Sequence, residues 1–193
     1  MATQVQNNVS TIFATQDLSK QALRVFLGTL ALAASSWISV PMVPVPFTLQ
    51  TYAVIVIGAL FGWRMGALTV MAWLGEAMLG LPVLAHGASG LWVFAGTNAG
   101  YLFSFPVIAA FVGWCVERGW SRKGLVLSFA VMLIANVINL AMGATWLATI
   151  IGWSRAMTFG VRPFIAAGFL YAFFATLTVS VAQRSRRSGT DAR

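Results

Sequence analysis

Long apolar runs, broken by short polar or turn-rich stretches, dominate this chain. They fall at residues 21–40, 49–63, 65–84, 99–117, 125–149 and 163–183. A helix crossing about 30 Å of hydrocarbon needs roughly 20 apolar residues. The pattern therefore predicts an all-α membrane protein of six transmembrane helices. A polar cytoplasmic N-terminus (1–20) precedes the membrane domain (21–183), and a basic cytoplasmic tail (184–193) follows it. The second and third runs meet through Gly62-Trp63-Arg64-Met65, the least distinct boundary. Asp17 is placed to cap an initial turn, with Lys20 and Arg24 anchoring at the headgroups.

Composition excludes a soluble domain. Residues are 59% hydrophobic and 8% charged, against roughly a quarter charged in soluble domains. Twelve basic residues face four acidic ones, giving a net charge of +8. In a soluble chain that balance would suggest nucleic acid. Here the basic residues flank apolar runs, so the partner they fit is an anionic lipid leaflet, with no nucleic acid. With a cytoplasmic N-terminus, the cytoplasmic segments hold ten basic residues and the external segments hold only Arg155 and Arg162. That asymmetry predicts an even number of spans with both termini inside. The first sixteen residues lack the basic start of a cleaved signal peptide. Cys115, the lone cysteine, permits no intrachain disulfide and reads as a small buried hydrophobe.

The external segments are rich in turn residues: Pro41 to Pro46, His86 to Gly90, and Gly152 to Val161. Proline fixes φ and removes a donor, so the first stretch must run extended rather than helical. Irregular backbone near lipid needs protein or water to satisfy it, as it would over a binding cavity. Small residues mark close helix approach. Gly58, Gly62 and Gly66 stand four apart, and Gly28, Ala31 and Ser35 line one face of the first span. The first set reads as packing within the chain; the second is the better candidate for contact with a partner membrane protein.

Candidate chemistry is sparse. Glu76 is the one acid inside a predicted span, and a carboxylate there must be protonated, paired or facing water. It reads as a proton-coupling site, as an acceptor for substrate N–H groups, or as a hydrogen-bond partner of a neighbouring helix. Asn136 and Asn139 share a helical face and suit either interhelical or ligand contact. Trp146 is placed to stack on a ligand ring. Thr48, Gln50, Thr97, Asn98 and Tyr101 gather neutral donors and acceptors at external helix ends. Arg162 and Arg155 could clamp a carboxylate or anchor to lipid phosphate, and His86 reads as a turn residue. There is no Walker motif, no metal-ligand spacing, and no nucleophile–base set, so neither a catalytic nor a metal site is expected.

Five motifs carry a family resemblance. Val40 to Thr51 (VPMVPVPFTLQT) resembles the "PVPxTLQT" signature of BioY proteins, the biotin-binding S-components of energy-coupling factor (ECF) vitamin transporters. Gly75 to Val83 is similar to "EGxxGLPVF", Ala95 to Leu102 to "GPTGGYL", and Gly143 to Ala148 and Gly160 to Phe164 to the later elements of that family. The resemblance implies a six-helix S-component bundle that captures biotin from the external side. It needs no cofactor, and it works with a transmembrane coupling protein and paired ATPase subunits in the bacterial inner membrane. Small residues on the first span are the family's usual coupling contact. The candidate substrate-binding set is Phe47, Thr48, Gln50, Glu76, Thr97 and Asn98, together with Tyr101, Asn139, Trp146, Arg162 and Tyr171. Where the family carries an Asp and a Lys implicated in substrate binding, this chain has Gly168 and Tyr171. Glu76 or Asn98 is then expected at the ureido group, and Arg162 or Arg155 at the carboxylate. A stand-alone secondary transporter using Glu76 as its proton site is the alternative class.

Overall fold

The computed structural model describes residues 2–41 and 43–191, with side chains described over 18–41, 43–121 and 123–183. Helix α1 (Ala2–Trp37) leads into a two-stranded antiparallel ribbon, β1 (Ser39–Val40) with β2 (Phe47–Thr48), in which Ser39 faces Thr48 and Val40 faces Phe47. Helix α2 (Gln50–Met78) is followed by two 3-10 turns, Ala85–Gly87 and Leu91–Ala95. Then come α3 (Ala99–Glu117), a 3-10 turn (Trp120–Arg122), α4 (Leu125–Ile151), the short α5 (Trp153–Arg155), a π-helical turn (Ala156–Val161) and α6 (Arg162–Asp191). Among the described residues, four segments are long and apolar enough to cross a membrane: α2, α3, α4 and Trp153–Gln183.

Helix α2 is not straight. Gly62 has φ 81° and ψ 174°, so helical geometry breaks there and leaves two arms, 50–61 and 63–78. A Cβ placed on Gly66 would lie 2.9 Å from Gly58 Cα, although residues eight apart in a straight helix are about 12 Å apart. The arms therefore fold back on each other as a hairpin. Its tip is held by α3: Glu117 Oε1 accepts a 3.1 Å hydrogen bond from the Trp63 N–H, and Gly113 packs on the backbone of Gly62 and Trp63. Gly58 lies against α3 as well, where a Cβ would come within 2.5 Å of Ala109 O. The second arm stops at Met78, short of the expected 84, because Gly80 turns at φ 96° and Pro82 cannot continue a helix.

α1 packs on this hairpin through Gly28, beside Thr69 and Phe61. Ser35 is also buried and donates to Leu32 O, so of the expected partner-contact stripe only Ala31 faces outward. The first span ends at Trp37 rather than 40, since residues 39–40 pair in the ribbon. The core is apolar, with Leu32, Val54, Ile55, Val70, Trp73, Ile108, Met132 and Cys115 almost inaccessible. The outer faces are apolar too, with Phe26, Leu27, Met71, Phe103, Val137, Phe173 and Phe174 all exposed. A surface of this kind matches a hydrocarbon solvent rather than water. The Gly62 tip, the α3–α4 turn and the far end of α6 gather at one end, where Gln183 donates to Ser121 Oγ at 2.6 Å. Arg64 and Arg118 lie there over the rings of Trp63 and Trp114. The ribbon and the loops 79–98 and 152–161 cap the other end.

Candidate ligand-binding site

Beneath those loops lies a cavity of about 550 Å³, within the usual range of small-molecule sites, about 300–1,000 Å³. Its floor comes from helix ends that the polar side chains themselves tie together. Asn139 of α4 donates to Thr51 Oγ of α2 at 3.2 Å and accepts from Ser104 Oγ of α3 at 2.6 Å, joining three helices at one buried amide. One turn earlier, Asn136 donates to Met132 O and also faces the cavity. Gln50 donates to Ser36 Oγ at 2.8 Å and accepts from Thr48 Oγ, which fixes α2 to the end of α1.

The walls are aromatic. Phe47 stacks on Phe164 with centroids 6.0 Å apart and lies 5.7 Å from Tyr171. Tyr171 donates to Thr48 O at 2.7 Å, so α6 is bonded to the ribbon. Tyr101 donates to Gly160 O at 2.7 Å, and its ring occupies the space left by the absent side chain of Gly143. Over the mouth, Thr97 donates to Pro44 O at 3.0 Å and joins the proline loop to the start of α3. Most polar groups here are therefore already paired. Among the described residues, the buried exception is Asn98, which lines the cavity at the N-cap of α3 without capping it. Its Oδ1 is buried and has no hydrogen-bond partner. An acceptor held this way is costly when empty and ready for a ligand N–H.

Of the residues expected to bind substrate, Thr48, Gln50, Thr97, Asn98, Tyr101, Asn139 and Tyr171 line this one space. Phe47 stands behind Tyr171 and Phe164 as a support. Trp146 also lies outside the lining: its Nε1 donates to Gly96 O at 2.9 Å and its ring meets Phe103 edge-on, so it buttresses the 95–98 segment. Arg162 and Arg155 are exposed and off the cavity. Glu76 is in the last turn of α2, half-buried and away from the lining, while Trp73 donates to Val83 O instead. Among the described lining residues there is no Asp, Glu, Lys or Arg. The described residues also hold no group of His, Cys, Asp and Glu able to bind a metal.

The model of the BioY family matches residues 3–188. The chain belongs to the BioY family. Relatives agree: it is 37% identical over 171 residues to the biotin transporter BioY of Rhizobium etli, covering 85% of this chain and 91% of that one. It is 28% identical over 153 residues to the biotin transporter BioY2 of Lactococcus lactis, covering 78% and 83%. The crystal structure of an S-component for biotin from an ECF-type ABC transporter shares the fold, with a TM-score of 0.75 at 22% identity, covering 88% of this chain and 93% of that one. This BioY protein is thus a multi-pass membrane protein. Gly168 and Tyr171, the positions where the family resemblance expects charge, do line the cavity of this BioY chain, as neutral residues. The sequence does not single out Thr51, Trp92 or Phe164 as site residues and presents His86 as a turn residue; all four line the cavity. Thr51 and Phe164 lie inside the quoted motifs and were in reach. Trp92 and His86 become wall residues only through the course of the 79–98 loop, which has no periodicity to read.

Proposed function

We propose that this BioY chain is the biotin-capturing S-component of an ECF-type uptake transporter. Six crossings are counted by taking α1 and each arm of α2 separately. Both termini lie in the cytoplasm, the cavity opens to the outside, and the protein resides in the bacterial inner membrane. It has no ATPase site of its own. A transmembrane coupling protein and paired ATPase subunits supply the energy. Similarity to biotin transporters and to an S-component for biotin supports biotin as the ligand. The observation that carries the reading is the orphaned Asn98 Oδ1 in a cavity with no fixed charge. Biotin presents a neutral ureido head with two N–H donors, an apolar ring and a tail carboxylate. Its head suits the amide-lined interior, where a ureido N–H donates to Asn98 Oδ1. A proton-coupled secondary transporter finds no support in Glu76, which stands off the cavity.

Equilibrium binding to the purified chain in nanodiscs tests the reading. Biotin is expected to bind saturably without ATP. Asn98→Ala removes one acceptor to a buried N–H and should weaken binding about tenfold or more, since such a bond is worth about 1–3 kcal/mol. Its thermal stability should not fall. Absence of biotin binding to the unaltered chain would end the proposal.

A further inference from the structure

The cavity is asymmetric. Gln50, Thr51, Asn136 and Asn139 are at least nine-tenths buried at its floor, whereas His86 is exposed at its mouth. A carboxylate is far more costly to dehydrate than a neutral urea. A ligand that carries both enters head first and leaves its anion at the mouth. His86 is the one described lining residue able to become a cation. Its backbone sits at φ 57°, ψ 25°, the left-handed region that non-glycine side chains rarely adopt. Ser39 Oγ lies 3.4 Å from its Nδ1. Ser39 in turn pairs with Thr48, and Thr48 O accepts from Tyr171, so the ribbon ties His86 to the α6 wall.

We propose that His86, oriented by Ser39, is the residue of this chain that recognises the ligand's carboxylate, through a charge-assisted hydrogen bond from the protonated imidazole. This inference rests on the biotin reading. The groups around the imidazole leave its charge unopposed. Tyr101 and Tyr171, the other titratable lining residues, donate away to Gly160 O and Thr48 O. α1, which packs against the 85–87 turn, has no ionisable residue from Val25 to Trp37. Glu76 of α2 is off the lining. Only the protonated imidazole is a cation, so capture of an anion strengthens as pH falls, while capture of a neutral analogue does not.

The test is equilibrium binding of biotin and of biotinamide, which lacks the negative charge, to the full chain in nanodiscs from pH 8 to pH 5.5. Biotin is expected to bind about tenfold more tightly at the lower pH, and biotinamide equally at both. His86→Asn tolerates the left-handed backbone but cannot become a cation, and should abolish the slope. His86→Lys should restore tight binding with no slope. Biotin binding whose pH dependence survives in His86→Asn, or is matched by biotinamide, would overturn the assignment and leave the biotin reading standing. Binding of neither ligand at any pH would remove both.

Discussion

Single residues decide whether the walls of this cavity can close. Gly143 and Gly168 are both helical, both buried and both beside the site, yet their neighbours differ. A Cβ at Gly143 would enter the Tyr101 ring, whereas one at Gly168 would meet only the Asn136 side chain, at 3.6 Å or more. Gly143→Ala is expected to lower stability by about 1–3 kcal/mol through overpacking and to displace Tyr101 from Gly160. Gly168→Ala should be neutral or stabilising by up to about 1 kcal/mol, the helix propensity difference. Thermal unfolding in detergent separates the two. Sequence pattern made much of the site legible at this scale. Asn136 and Asn139, three apart on one helix, do face one space, and neutral polar residues at helix ends do line it. It failed for Glu76 and the arginines, because hydropathy places a residue along a span without saying which way it points or where the helix stops.

Whole elements were legible in their helical character and order more than in their ends. The 64-centred break between the second and third runs is a real reversal of the chain, but its cause is a glycine conformation at 62 and a carboxylate from α3, a contact 54 residues away that no local pattern reveals. Glu117 serves as an end cap for the arm 63–78. Glu117→Ala is therefore expected to destabilise the protein by about 0.5–2 kcal/mol, the usual range for a lost cap. Glu117→Gln, which keeps an acceptor, should lose less. Thermal melts of the two variants check this ordering. Polar glue between helices was also foreseeable in kind and not in partner. Asn139 joins Thr51 and Ser104 across three helices, and only the folded chain brings residues 51, 104 and 139 together.

At the scale of the molecule, the basic end and the loop end lie at opposite poles of an apolar body. Charge counts along the sequence predict an orientation for that body, with the basic end inside. Single-cysteine labelling in whole cells tests the orientation after Cys115, itself buried, is replaced by Ala. Ser89→Cys should react with an impermeant maleimide from outside, and Lys123→Cys only after permeabilisation. The reverse pattern would invert the topology.

The tie between Thr97 and Pro44 O bears on time rather than affinity. The proline loop and the start of α3 meet over one side of the cavity's mouth through this bond, so breaking it is expected to widen the way in and out. Arrival and escape then use the same widened opening, and both rates should rise together when the bond is removed. Thr97→Val is thus expected to shorten the residence time of bound biotin severalfold while the equilibrium constant moves much less. Stopped-flow displacement against excess unlabelled biotin would resolve the two. Under the proposed capture role, this bond would slow release from the chain alone and leave a single contact for a later rearrangement to break.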